Sequence, residues 1–156
     1  KQQGVVNPLE KPARRRYFLE DVARSAEFFG LPFRIPEPLQ ISAHLAGRLY
    51  HAWTVTRPQD GLRLASEIFE AFFARGGDIT DPAVLAALPC LAGKTPDAIR
   101  AMIDGPEGRQ RLGEAVDEAC AANITGVPFM TLDGESFFGA DRLPQIAWRL
   151  QHPRMA

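Results

Sequence analysis

The residues best suited to chemistry lie in two short segments near the carboxyl end, at 126–128 and 139–142. In the first, Pro128 precedes an apolar run, and a proline is tolerated at the first residue of a strand because it need not donate a hydrogen bond there. A trans proline at the strand entry is the ordinary interpretation, since most X-Pro bonds are trans. The alternative is a cis bond that turns the N–H and C=O of Val127 outward, where they can pair with an extended peptide as an added strand.

The second segment reads Gly139-Ala140-Asp141-Arg142. Glycine lets the backbone turn sharply from a strand into a helix, and Asp141 then stands at the predicted helix start. An N-cap worth ~1 kcal/mol is the ordinary explanation of such an aspartate. The alternative is a ligand site, in which the free N–H groups of the helix start bind a carboxylate and Asp141 binds an ammonium group. The head of an amino acid carries both groups on one carbon, and these residues alone leave the two interpretations open.

Histidine and cysteine are weaker candidates. His44 and His51 are seven residues apart on one predicted helix and do not form the i, i+4 pair of a helical metal site, so we predict no metal. Cys90 and Cys120 lack the Cys-x-x-Cys spacing. We expect them to be buried thiols of a cytoplasmic protein, with Cys120 on the inner stripe of its helix.

Composition excludes several classes of protein. The chain has 156 residues, of which 46% are hydrophobic and 24% charged, as in an ordinary globular domain. Its 18 Lys and Arg residues nearly balance 19 Asp and Glu residues, for a net charge of −1. No broad basic surface is available for nucleic acid, and no apolar run approaches the ~20 residues of a membrane-spanning helix.

The elements that must position these residues are mostly helical. Residues 1–13 are predicted to be an extended loop, and apolar residues at steps of three and four predict helices over 14–29, 42–56, 62–74 and 110–122. Three short helices are expected where a proline follows Asp81, Thr95 and Gly105. Asp133-Gly134 between two short apolar runs predicts a β-hairpin, and a last helix is predicted over 141–151. Because an isolated hairpin is marginal in water, either the helices cover it or partner strands lie before Lys1.

Three segments of the sequence together resemble those of one protein family. TGVPFMTLDGESFFGADRL is similar to the carboxyl-terminal signature of the kappa-class glutathione transferases and the bacterial 2-hydroxychromene-2-carboxylate isomerases. FFARGGDITDPAVLAAL resembles the insertion helices of that family, and PARRRYFLEDVARSAEFFGLPFRIP resembles the segment leading into them. The resemblance implies an α/β thioredoxin-like fold of the DsbA/kappa type with a large all-helical insertion. The insertion would span 14–122, and 123–156 would form the carboxyl-terminal half of the thioredoxin fold.

The resemblance also implies a glutathione site. Val127 and Pro128 match the residue before the cis-proline and that proline, while Ala140 and Asp141 match the pair that holds the γ-glutamyl head. Arg14 matches a basic residue that pairs with a glutathione carboxylate, and Asp21 matches an acidic residue near it; a solvated helix charge is the alternative for both. Gly4 is followed by Val5 where the family often has Asn, and Asn7 is the alternative for that role. The opening strand, helix and second strand of the family, with a catalytic serine, are expected upstream of residue 1, so no catalytic residue is assigned here.

The implied activity is glutathione-dependent isomerisation of an aromatic acid, by addition of the thiolate to a conjugated double bond and its later elimination, or kappa-type transfer. A small aromatic substrate and a homodimer are expected, with Phe33, Trp53 and Phe73 as core or as the lining of an apolar pocket. The alternatives are a DsbA-like thiol–disulfide oxidoreductase, which a Cys-x-x-Cys upstream would establish, and a non-catalytic helical binding module.

Overall fold

Proline marks the start of most helices in this chain. The structure is a computed structural model that describes residues 11–39 and 41–153. The helices of this part are α1 (Pro12–Phe28), α2 (His44–Thr54), α3 (Gly61–Phe69), α4 (Pro82–Ala86), α5 (Pro96–Asp104), α6 (Pro106–Ala121) and α7 (Leu143–Gln151). A π-helical turn, Glu70–Ala74, extends α3, and 3-10 turns lie at Pro58–Asp60, Pro89–Leu91 and Ala140–Arg142.

Two of the predicted helix starts are confirmed in atomic detail. The Asp81 carboxylate accepts a hydrogen bond from the Ala83 N–H at 2.8 Å, and the Thr95 hydroxyl accepts one from the Ala98 N–H at 3.2 Å. Each side chain thus satisfies an N–H group that has no partner within its helix.

Several predicted helix boundaries are wrong; α2, for example, spans His44–Thr54 rather than 42–56. Helix α1 begins at Pro12 rather than at 14, because proline at the first helical position has a backbone already suited to the helix, so residues 12 and 13 are not loop. The short helix expected after Gly105 and the helix expected over 110–122 are one continuous helix, α6. The ion pair between Glu107 and Arg111, one turn apart at 3.1 Å, lies across the predicted gap.

By packing, the described residues fall into two units, 11–115 and 116–153, with the border inside α6. The core of the helical unit comes from α2, α3, α4, α5 and the turns between them. Its fully buried members are Leu49, Leu64, Leu85, Leu91 and Ile99.

The second unit contains the hairpin and α7. Strand β1 (Phe129–Leu132) pairs antiparallel with β2 (Glu135–Phe138). Both turn residues have positive φ, 48° at Asp133 and 75° at Gly134, as a two-residue type I′ turn requires. The predicted hairpin and its turn are therefore confirmed, and among the described residues the sheet has these two strands alone.

No helix in the described ranges is long and apolar enough to cross a membrane. The same ranges contain no cluster of three His, Cys, Asp or Glu side chains placed to hold a metal ion.

Candidate functional site

The Val127–Pro128 peptide bond is cis, which decides between the two interpretations of Pro128. Val127 is 86% exposed. Within the part of the chain that the structure describes, neither its N–H nor its C=O takes part in a hydrogen bond. A main-chain donor and acceptor are thus presented together at the entry to β1, as pairing with an extended peptide requires.

One hydrogen bond joins the two candidate segments. The Gly139 N–H donates to the Pro128 carbonyl at 3.0 Å, which continues the hairpin register by one residue pair beyond Phe129 and Phe138. The turn that follows is closed by the Arg142 N–H, which donates to the Gly139 carbonyl at 3.1 Å. The segment that carries Asp141 is therefore attached directly to the cis-proline.

Asp141 does not cap a helix, so its ordinary interpretation is wrong. It lies in the 3-10 turn Ala140–Arg142 that precedes α7, and no side chain caps either the turn or the helix. Its side chain is 70% exposed, and its Oδ2 lies 3.1 Å from the Arg142 Nη2. The carboxylate remains open to solvent, as a group that binds an ammonium ion needs to be.

Contacts of β2 with α7 and with Gly126 stabilise the elements on either side of the Asp141 turn. The Arg149 Nε of α7 donates to the Glu135 carboxylate of β2 at 2.8 Å, and both side chains are mostly shielded from solvent. A Cβ at Gly126 would lie 2.7 Å from the Phe138 ring, so the ring packs directly against the glycine before Val127. Phe137 on the other face of β2 is buried.

Arg14 and Asp21 lie on α1, in the helical unit. Both line an open hollow of about 420 Å³ along that helix, together with Ala13, Tyr17 and Phe18. Asp21 accepts a hydrogen bond from Arg24 at 2.6 Å, which raises the pKa of the Arg24 guanidinium. Arg14 forms no ion pair within the described ranges, and the first turn of α1 contains no acidic residue. Arg14 is therefore available to an anion, whereas Asp21 already has a cationic partner.

Of the aromatic residues expected to form core or pocket lining, Trp53 lies in the core and Phe73 lines a cavity. Trp53 is buried, and its Nε1–H donates to the Asp60 carboxylate at 3.2 Å. Phe73 borders an apolar hollow of about 380 Å³ in the helical unit. The ring of Phe33 stacks on the ring of Phe73, with their centroids 6.1 Å apart. Phe69, which lines the same hollow, is well exposed.

The prediction of two buried thiols is wrong for Cys120, which is exposed, while Cys90 is half-buried. The Cys90 N–H donates to the Glu67 carboxylate at 2.7 Å. Burial raises the pKa of the Cys90 thiol, and the nearby carboxylates of Asp60 and Glu67 add to the shift. Cys90 is thus a poor nucleophile at neutral pH.

Sequence reasoning assigned no role to three neighbours of the candidate residues. Arg142 contacts Asp141, Gly126 makes room for Phe138, and Tyr17 lines the hollow beside Arg14. Arg142 and Gly126 belong to the two segments that the sequence analysis singled out. Their positions next to Asp141 and Val127 in the sequence could have identified them. Gly4, Val5 and Asn7 lie outside the described residues.

Comparison with known proteins identifies the family of the chain. The chain belongs to the family of DSBA-like thioredoxin domains, whose family model matches residues 1–151. The predicted thioredoxin-like fold of the DsbA type and the suspected family are thereby confirmed.

Two relatives make the similarity more specific. "Glutathione s-transferase kappa 2" of Caenorhabditis elegans is 32% identical over 161 residues, which cover 94% of this chain and 70% of the relative. The solved structure of a 2-hydroxychromene-2-carboxylate isomerase matches with a TM-score of 0.81 at 18% identity, covering 97% of this chain and 72% of that one. At that identity the isomerase shows the fold alone.

Proposed function

We propose that this chain binds glutathione and belongs to an enzyme that uses it, either an isomerase of the 2-hydroxychromene-2-carboxylate type or a kappa-type transferase. The observation that carries the proposal is the exposed main chain of Val127, which the hydrogen bond from Gly139 to Pro128 joins to the turn of Asp141. The similarity to a kappa glutathione transferase supports the same co-substrate.

In this proposal the two segments bind different parts of the tripeptide. The N–H and C=O of Val127 pair with the main chain of its cysteinyl residue, and the exposed Asp141 carboxylate binds the ammonium group of the γ-glutamyl head. The N–H of Asp141 or Ala140 is the corresponding donor to the carboxylate of that head. For Arg14 and Asp21, which lie together on α1 in the helical unit, glutathione binding stays the role that the resemblance implies. Arg14 has no acidic partner among the described residues, and Asp21 pairs with Arg24.

Glutathione supplies the reactive sulfur, which as a thiolate adds to an electrophilic carbon. The residues described here bind and orient the tripeptide rather than activate its thiol. The activating serine stays a prediction for chain upstream of residue 1, as do the aromatic substrate, the homodimer and the cytoplasmic location.

Calorimetric titration of glutathione into the chain tests the proposal. Asp141→Asn removes the charge and keeps the shape, and we expect the dissociation constant to rise at least about tenfold, equivalent to roughly 1.5 kcal/mol for a charged contact. Asp133→Asn removes the same charge at the opposite end of the hairpin and tolerates the positive φ there. It should change the dissociation constant by less than about twofold. An unaltered constant in Asp141→Asn would reject the assignment.

A thiol–disulfide oxidoreductase is the second candidate, favoured by the DSBA-like family itself. Such an enzyme needs a pair of reactive thiols, and Cys90 with its raised pKa does not provide one. Insulin reduction by the full-length protein distinguishes the two. Reductase activity that depends on a Cys-x-x-Cys supports the oxidoreductase, and a serine at the predicted catalytic position supports the proposed function. A protein that neither binds glutathione nor reduces insulin would instead favour the non-catalytic helical module.

A further inference from the structure

We propose that Gly139 is a positioning residue of the glutathione site, because it determines where the Asp141 carboxylate lies. The inference rests on the proposed function and adds to it a residue that itself offers no side chain to the ligand.

The first reason is the direct approach of the carboxylate to Gly139. A Cβ at Gly139 would collide with Oδ1 of Asp141. The other oxygen, Oδ2, is held at 3.1 Å by the Arg142 guanidinium. The carboxylate therefore lies between the Gly139 backbone on one side and a cation on the other, and any side chain at 139 would displace it.

The second reason is the backbone of Gly139 itself. Its φ of 101° and ψ of 147° lie in a region that is essentially restricted to glycine. That conformation lets the chain leave β2 and enter the 3-10 turn within one residue.

The third reason is the attachment of Gly139 to the other half of the site. Its N–H donates to the Pro128 carbonyl at 3.0 Å, and its carbonyl accepts from the Arg142 N–H at 3.1 Å. One residue thus fixes the Asp141 turn relative to the exposed main chain of Val127, so the spacing between the peptide-pairing groups and the carboxylate depends on it.

Gly134 at the hairpin tip provides a matched comparison. It also has a positive φ, 75°, but among the described residues beyond its chain neighbours no atom lies within 4 Å of the position that a Cβ would occupy. Alanine at 134 therefore introduces backbone strain without moving a neighbouring side chain, whereas alanine at 139 introduces both effects.

A double-mutant cycle tests the inference. The dissociation constant for glutathione is measured calorimetrically in the unaltered chain, Gly139→Ala, Asp141→Asn, the double variant and Gly134→Ala, and thermal unfolding is recorded for each. We expect Gly139→Ala to weaken binding at least tenfold alone, and less than twofold further when Asp141→Asn is already present. Gly134→Ala should lower the unfolding temperature and leave the dissociation constant within twofold.

Equal losses of affinity from Gly139→Ala in both backgrounds would mean that Gly139 acts through the fold, and would overturn the positioning role. If Gly139→Ala does not fold, Asp141→Glu takes its place, since glutamate keeps the charge and carries it one methylene beyond Gly139. Full affinity in Asp141→Glu would contradict the inference, and a loss matching that of Asp141→Asn would support it. Failure of the unaltered chain to bind glutathione would overturn the proposed function and this inference together. If Asp141→Asn abolishes glutathione binding and Gly139→Ala preserves it, the positioning role of Gly139 is overturned and the proposed function stands.

Discussion

The Gly139 N–H lies 3.0 Å from the Pro128 carbonyl oxygen and donates a hydrogen bond to it. The two residues face each other because the Asp133-Gly134 turn sets a register in which Phe129 pairs with Phe138. A one-residue slip in that register would reverse the faces of the strand and separate the pair. The register of the two strands therefore brings Pro128 and Gly139 together at the end of the hairpin opposite the turn.

The two cysteines are expected to differ in reactivity. Cys120 is exposed, whereas Cys90 is half-buried and the pKa of its thiol is raised by burial and by neighbouring carboxylates. Because the thiolate is the reacting species, iodoacetamide at pH 7.5 should alkylate Cys120 at least about tenfold faster, as followed by peptide mass spectrometry. Cys90→Ser and Cys120→Ser assign the two rates. The rates should converge in urea, and equal rates in the folded chain would contradict the prediction.

Local signals explain what the sequence predicted well. A capping side chain and the proline after it affect only the first turn of a helix. The sequence therefore predicts the starts of α4 and α5 at Asp81 and Thr95. The Asp133-Gly134 turn is equally local, because only residues that tolerate positive φ fit it. Residue types alone singled out the segments of Pro128 and Asp141, and the resemblance then assigned those segments to glutathione. The resemblance is the only reason that Arg14 and Asp21 were singled out among many surface charges.

The errors have a different physical origin. A helical period identifies an apolar face but not the element that covers it, so Cys120 was placed inward and is exposed. The capping interpretation of Asp141 failed because a 3-10 turn precedes α7, and this shifts the helix start to Leu143. The conformation of this turn depends on the φ of Gly139 and on the hydrogen bond from Gly139 to Pro128. The order of the residues in the sequence reveals neither.

Two glycines of α6 should respond oppositely to alanine. Gly108 is buried, where a Cβ would collide with the Arg48 carbonyl and lie 3.2 Å from the Ala52 Cβ on α2. At Gly113, no atom of the described residues outside the adjacent helix backbone lies within 4 Å of the corresponding position. We expect Gly108→Ala to lower the free energy of unfolding by about 1–3 kcal/mol through overpacking. Gly113→Ala should raise it by about 0.5–1 kcal/mol, since alanine favours the helix. Urea denaturation measures both, and a stabilised Gly108→Ala variant would show that α2 and α6 do not approach closely there.

The Asp78 carboxylate should make stability depend on pH in the acid range. Its Oδ1 accepts hydrogen bonds from the Thr80 hydroxyl at 2.7 Å and the Thr80 N–H at 2.9 Å, and these lower the pKa of Asp78. The turn they form surrounds Ile79, which is buried in the core of the helical unit. A carboxyl group with a lowered folded-state pKa stabilises the fold above its unfolded pKa of ~3.9 and loses that contribution as the pH falls through the folded value. We therefore expect Asp78→Ala to lower the free energy of unfolding by at most about 1 kcal/mol at pH 7, because solvent screens this exposed group.

The difference between Asp78→Ala and the unaltered chain should narrow below pH 4, as measured by urea denaturation at a series of pH values. Thr80→Val removes the hydroxyl hydrogen bond and keeps the backbone one, so it should show a smaller loss with the same pH dependence. A stability difference that stays constant from pH 7 down to pH 2.5 would mean that the ionised carboxylate does not hold this turn. The cost of Asp78→Ala would then come from backbone conformation at residue 78 and not from its charge.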